Sequence, residues 1–374
     1  MVEQETNMGG KKIHYAGPWV TEREVAAVAE AARVGFYENY RLHASQLEQK
    51  LREYLGVKHC LAVNSGTAAM HLGLASLGIG PGDEVIVPDA SCVATALAVA
   101  YTGATPVFAD VDPDTWCLSP ASVEKCLSPR TRALMPVHWN GHPCAMDELL
   151  DIARRRGLLV MEDGAPALGA EYKGRKVGTL GDTASFSFQG AKIAIAGQGG
   201  AFVTNRDDAM VKARQLASYG RTDSVMTYWS DFVGYNYGMP NLPAALASAQ
   251  MDRMGELLAK KRQIWAWYEE HLGDAPRVKL IREAPGTRST YCYPPMLLKP
   301  EARVTRAELF ARLKEDNIDA RPAQPRQSPM PMFRQNADTP VCRLIETNGV
   351  LLPGAFCLEE EDVALVCRRL RELT

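Results

Sequence analysis

Residues 185–205 read SFSFQGAKIAIAGQGGAFVTN. With Ala184 ahead of it, the stretch holds two strand-like runs, ASFSF and AFVTN, around a Gly-rich turn that carries one lysine, Lys192. Phe, Val and Ala fill both runs, which marks them as buried sheet. A lysine on a loop between buried strands has to dispose of its charge. Burial lowers an ammonium pKa, and a neutral amine is a nucleophile that condenses with carbonyls. Most lysines simply sit in water, so the choice between these readings falls to the sequence on either side.

Upstream, short apolar runs alternate with helical patterns. Strands are expected at His59–Val63, Glu84–Pro88, Thr105–Ala109, Ala133–Val137, Leu158–Glu162, Ala184–Phe188 and Ala201–Thr204. Helices are expected at Thr67–Leu77, Cys92–Tyr101, Pro120–Leu127 and Met146–Arg155, with two more ahead of them. The first, Thr21–Ala32, opens on Thr followed three residues on by Glu, a capping box. The second, Ala44–Leu55, ends at Gly56. This alternation predicts an α/β fold with a large, mostly parallel sheet covered by helices on both faces, and ligands at the carboxyl ends of its strands.

The character changes near Pro240. A single helix is expected over Ala244–Leu272, with Trp265, Trp267 and Tyr268 as core or interface aromatics. Beyond it the sequence predicts a strand at Thr290–Leu298, a capped helix at Thr305–Asp316, a strand near Ile318–Arg321, a Pro-rich loop over 321–333 and a last helix at Glu359–Leu373. The domains are therefore drawn as a loosely ordered arm (1–20), a large domain (21–240) and a smaller C-terminal α/β domain (241–374).

Composition narrows the partners. The 374 residues carry a net charge of −2 with both signs interspersed, which speaks against nucleic acid and anionic membranes. No secretory pattern opens the chain, and no apolar run approaches membrane-spanning length. The nine cysteines are scattered without a C-x-x-C pair, as expected of reduced thiols in a cytoplasmic protein. His138 and His142 are read as non-metal histidines, and no metal site is expected.

Three pieces fall where such a sheet places a ligand. Asn64-Ser65-Gly66-Thr67-Ala68-Ala69 follows a strand and opens a helix, a phosphate site built from backbone N–H groups. A plain Ser/Thr cap is the commoner use of such a sequence. The run LLVMED ends in Glu162-Asp163, a carboxylate at a strand end, placed either to cap a turn or to keep a pyridine nitrogen protonated. Ser187 lies five residues before Lys192. A phosphate cradle, a strand-end acid and a loop lysine in this order are what pyridoxal 5'-phosphate requires: Schiff-base lysine, ring-nitrogen partner and phosphate grip.

On these residues the chain resembles the DegT/DnrJ/EryC1/StrS sugar aminotransferases, which have the fold-type I architecture of aspartate aminotransferase. The matching stretches include NSGTAAMHLGLASLGIGPGDEVIVP, TRALMPVHWNGHPCAMDEL, MEDGAPALGAEYKGRKVGTLGD, FSFQGAKIAIAGQGGAFVTN and GYNYGMPNLPAALASAQMD. VHWNGHPCAMDEL and YWSDFVGYNY are most similar to members that aminate C4 of a GDP-linked 4-keto-6-deoxy sugar, with glutamate as donor. The resemblance implies Lys192 as the cofactor lysine and acid–base group, and Asp163 as the partner of the ring nitrogen. It assigns Ser187, Gly66, Thr67 and Ala68 to the phosphate, and brings Asn236 to the phosphate of the other subunit. It therefore implies a homodimer with shared active sites.

Five positions depart from the family pattern: Cys92 where an aromatic ring stacks on the cofactor, Pro166 where Gln, Glu or His is usual, Gly238 for Arg, Gln198 for Glu, and Arg326-Gln327-Ser328 where relatives carry a His near the sugar. Losing the stack removes about 1 kcal/mol of ring contact. All five lie around the ring or the sugar, which leaves two alternatives: an aminotransferase for another keto sugar or cyclitol (at C3, or in an antibiotic pathway), and a catalytically silent cofactor-binding regulator or scaffold.

Overall fold

The computed structural model describes residues 11–222, 226 and 228–374. At its centre lies a sheet of seven strands: β1 (His59–Val63), β2 (Glu84–Pro88), β3 (Thr105–Ala109), β4 (Thr131–Leu134), β5 (Leu159–Asp163), β6 (Thr183–Ser187) and β7 (Gly200–Thr204). Their order is β1-β7-β6-β5-β4-β2-β3. Six run parallel, and β7 is reversed, wedged antiparallel between β1 and β6. Successive residues of β1 serve opposite cores. Cys60 and Ala62 pack with Leu47, Leu51 and Phe186, whereas Leu61 and Val63 pack with Leu72 and Phe202. Both faces are covered, so the strands read as apolar runs rather than as alternations.

The flanking helices are α1 (Glu22–Val34), α2 (Leu42–Leu55), α3 (Gly66–Ser76), α4 (Ala94–Tyr101), α5 (Pro120–Cys126), α6 (Met146–Arg156) and α7 (Asp207–Ala217). Thr21 and Glu24 form the expected capping box of α1, and Gly56 ends α2 in the left-handed region at φ 73°. The single helix expected over Ala244–Leu272 is two, α8 (Asn241–Met251) and α9 (Met254–Leu272). Arg253 breaks it: its backbone leaves helical geometry, and its buried guanidinium lies 3.0 Å from Glu24 and over the Trp19 ring. An uncompensated buried carboxylate costs far more than one irregular residue, so the ion pair sets the turn.

The second sheet comprises Val278–Leu280, Pro295–Leu298, Gly349–Leu351 and Arg321–Pro322, flanked by α10 (Arg306–Glu315), α11 (Pro340–Asn348) and α12 (Glu360–Leu373). Trp265 stacks on Tyr291 with centroids 4.1 Å apart, and the Tyr268 hydroxyl donates to the Pro353 carbonyl, so both belong to this core; Trp267 packs against it half-buried. The strand expected over Thr290–Leu298 shrinks to Pro295–Leu298. Thr290 is drawn away instead: its N–H donates to Gly141 O and its hydroxyl to Pro166 O. Of the expected arm, residues 1–10 lie outside the described residues, and the rest is pinned rather than loose. Ile13 is buried and pairs with Ile318, and the Tyr15 carbonyl accepts from Gly354 N–H. Among the described residues no helix is long and apolar enough to cross a membrane.

Candidate active site

The strand ends named from the sequence fall in one row. Gly200 pairs with Val63 on one side and Ser187 on the other, Asp163 pairs with Ser185, and Val137 bridges to Asp163. At this edge opens a cavity of about 450 Å³ whose walls include Gly66, Thr67, Cys92, Asp163, Ser187 and Lys192. Two other candidate residues stand outside the walls. Ala68 is buried, its N–H taken by the Ser65 hydroxyl at 3.0 Å. Asn236 is exposed, and its carbonyl accepts from Asn64 Nδ2.

The seat at α3 follows from close backbone approach. Ser65 is extended and caps the helix, so Gly66 and Thr67 head it with N–H groups that no helix satisfies from within. A Cβ on Gly66 would stand 2.9 Å from Ser187 Cβ, and one on Gly200 would stand 2.5 Å from the Ser65 carbonyl. Two glycines therefore let α3, β6 and β7 touch. Lys192 is half-buried, its Nζ 5.4 Å from the Tyr293 ring centroid. Asp163 is 2 % exposed, its Oδ2 accepting from the Thr95 hydroxyl (2.9 Å) and its Oδ1 from Ala165 N–H (3.0 Å). Burial pushes its carboxyl above the usual range, against those two donors and Lys192, which pull it down. Behind it, Glu162 and His138 are fully buried and 3.0 Å apart. Burial raises Glu162, but the His138 ring and the N–H groups of Gly178 and Gly181 outweigh it and hold the carboxyl below its usual range. Cys144 N–H donates to His138 Nδ1, and Ala284 N–H to His142 Nε2, so both histidines are committed to the protein.

The departures divide. Cys92, Pro166 and Gln198 line the cavity. Gly238 does not; a side chain there would meet open space. Gln327 and Ser328 turn inward: both N–H groups donate to Asp89 Oδ1, and the Ser328 hydroxyl to Oδ2. Gln324, earlier in that loop, is the member that reaches the cavity. The sequence reading also missed Tyr15, Trp139, Asn140 and Tyr293, which line the same walls. The two tyrosines stack on each other from positions far apart in the chain, which no local pattern announces. Asn140 had a signal, the Asn-Gly pair of a tight turn: Asn140 has φ 54° and Gly141 φ 96°. Neither amide atom of Asn140 has a partner among the described residues, although the residue is buried. An unsatisfied buried amide costs about 1–3 kcal/mol. A larger hollow of about 660 Å³, lined by Cys117 and His142, contains none of the candidate residues.

Residues 18–371 match the DegT/DnrJ/EryC1/StrS aminotransferase family. The chain belongs to that family. It is 39% identical to GDP-perosamine synthase of Caulobacter vibrioides over 97% of this chain and 98% of that protein. It is 35% identical to GDP-perosamine synthase of Escherichia coli O157:H7, with the same coverage. Among solved structures, S. venezuelae DesV, determined with a ketimine intermediate, superposes with a TM-score of 0.86 at 31% identity, covering 96% of this chain and 98% of that one. The protein is thus an enzyme of the pyridoxal-phosphate aminotransferases, with their fold-type I architecture.

The residues present fit the family's cofactor. The helix end at Gly66–Thr67 offers an anion its N–H groups, in a space that two missing side chains keep open. Asp163, buried with its carboxyl pushed up, is a site that a cationic ring nitrogen would relieve. Lys192 faces both. In Gly66→Ala, the added methyl displaces Ser187 from the seat. Affinity of the apoprotein for pyridoxal 5'-phosphate should fall about tenfold, the worth of one hydrogen bond to a charged group, while affinity for unphosphorylated pyridoxal stays level. Fluorescence titration reads both, and equal losses would show that the seat does not hold the phosphate.

Proposed function

We propose that this enzyme moves an amino group from glutamate to a nucleotide-linked 4-keto-6-deoxy sugar, in the manner of GDP-perosamine synthase. The observation that carries the reading is the meeting of Lys192, Asp163 and the Ser65–Thr67 helix end around one cavity, in a chain alike over nearly its whole length to two such synthases. Gly66, Thr67 and Ser187 would grip the phosphate, and Asp163, oriented by Thr95 and Ala165, would hold a positive charge at the ring nitrogen. Bound there, pyridoxal phosphate supplies an aldehyde that takes up amines and a ring that withdraws electrons. Lys192 Nζ would hold that aldehyde, and the free amine would accept the proton from Cα of glutamate. In the second half-reaction the same amine returns a proton to the sugar carbon that gains nitrogen. Glutamate would leave as 2-oxoglutarate before the keto sugar enters and takes up the amino group with loss of its carbonyl oxygen as water, which makes the reaction ping-pong.

The reading includes a homodimer. Asn236 lies off its own cavity, and large apolar side chains stand bare: Tyr37 (94 % exposed) and Tyr40 just ahead of α2, and Trp229 and Val233 (86 %) just ahead of Asn236 in the chain. Exposure of that size marks a protein contact, and a twofold partner brings Asn236 to the neighbouring phosphate.

The test is the visible absorbance of the loaded protein. Glutamate should bleach it, and GDP-4-keto-6-deoxymannose should restore it with release of an amino sugar. Bleaching that this sugar does not reverse, but another keto sugar does, replaces the substrate and keeps the transamination. No response to glutamate removes the proposed donor.

A further inference from the structure

Asn140 is the one cavity-lining residue whose polar side chain is buried with both amide atoms unpartnered among the described residues. Its position is held from several sides. Just before it, the Pro136 carbonyl and the His138 N–H are hydrogen-bonded to Asp163 of β5, and Gly141 after it is clamped by Thr290. A Cβ on Gly141 would stand 2.0 Å from Thr290 Oγ1, so this turn has no room to adjust. Thr290 also bonds the Pro166 carbonyl, which joins the Asn140 turn to the loop where the family's usual Gln, Glu or His is replaced by proline. Pro166 therefore gives that wall no polar side chain, while Asn140, fixed beside Asp163, brings an amide to the same cavity.

We infer that Asn140 supplies the polar contact that Pro166 cannot: its Nδ2 donates to an oxygen of the bound ligand, a ring phenolate of the cofactor or a hydroxyl of the sugar. This rests on the cofactor reading of the cavity. Asn140 is then a ligand-binding residue rather than a structural one. Its left-handed backbone, which asparagine tolerates, aims the amide at the ligand instead of at the protein.

Two variants test it. Asn140→Gly keeps the left-handed backbone and removes the amide; Asn140→Asp keeps the shape and replaces the donor by an acceptor. Neither breaks a protein hydrogen bond; Asn140→Gly should melt with the wild type, whereas Asn140→Asp carries the cost of a buried carboxylate. Against a cofactor oxygen, Asn140→Gly should weaken pyridoxal 5'-phosphate binding about tenfold and shift the pH midpoint of its visible band, with Asn140→Asp worse. Against a sugar hydroxyl, the cofactor measurements should not move, and the Kd and KM for the nucleotide sugar should rise about tenfold. If all of these stay within twofold of wild type, or if Asn140→Gly lowers the melting temperature and leaves binding unchanged, Asn140 has no ligand role. Borohydride reduction followed by peptide mass spectrometry keeps the two readings apart: a wild type with no cofactor fixed on Lys192 overturns the cavity reading itself, whereas a labelled Lys192 with indifferent Asn140 variants overturns only this inference.

Discussion

Lys192→Ala should abolish turnover while leaving the protein folded and still able to bind pyridoxal 5'-phosphate. The first half of the expectation follows from the two jobs proposed for Lys192, the one lysine lining the cavity among the described residues: holding the cofactor and carrying the proton. A positioned acid–base group alone is worth roughly 10²–10⁴-fold, and covalent capture adds to that, so the residual rate should fall at least about 10⁴-fold. The second half follows from geometry. Lys192 sits on the loop between β6 and β7 and is only half-buried, and the helix cap at Ser65 and the two hydrogen bonds that orient Asp163 do not involve its side chain. Binding should therefore persist without covalent attachment, seen as cofactor that survives gel filtration poorly and leaves no borohydride-stable label. Turnover within tenfold of wild type would end the assignment of Lys192. A variant that neither binds cofactor nor keeps its melting temperature would show that the loop is a structural prop.

Asp163→Asn should produce the second-largest loss, by a different route. The substitution is nearly isosteric: its Oδ1 still accepts from Ala165 N–H, and its amide can donate to the Thr95 hydroxyl, so the fold should hold. What disappears is the negative charge. In the proposed function the buried carboxylate keeps the ring nitrogen cationic, and removing one preorganised electrostatic partner costs roughly 10²–10³-fold in kcat. Cofactor should remain bound through the phosphate seat, with KM for glutamate changed far less than kcat. A kcat within threefold of wild type would remove Asp163 from the electronic role and leave it as a cap for the 163–165 turn.

The parts of this molecule that were legible in the sequence are those whose physics is local. β1, β2 and β3 end where their apolar runs end, and α1 and α10 begin at Thr-x-x-Glu boxes. Lys192, Asp163, Ser187 and Gly66 were legible because each sits at the junction of a buried strand and a turn, where a polar residue needs a reason. What depends on distant partners was not. Arg253 splits a helix that is continuous in pattern because Glu24, more than two hundred residues earlier, requires its charge. Thr290 and Tyr291 have the composition of a strand and are pulled out of one by Gly141 and Pro166. Asn140 belongs to the same class. Its interest lies in having no partner, a property of the folded surroundings that a string of letters does not carry. Gln327 and Ser328 show the converse: residues in the position of a sugar contact are committed to Asp89 instead.

The reversed strand β7 has a consequence for how such enzymes diversify. Ser187 pairs directly with Gly200, and Phe188 N–H bonds the Gly199 carbonyl, so the lysine-bearing segment is a hairpin loop closed at its base. Gly200 is also stitched to Val63, three residues ahead of Gly66 at the head of α3. Whatever happens between 189 and 198 is therefore insulated from the distance between the two ends. The segment is a loop on a fixed mount whose middle, Ile193 to Ala196, is itself buried, so room to retune the amine without moving the seat lies at the exposed ends, Gln189, Gly197 and Gln198.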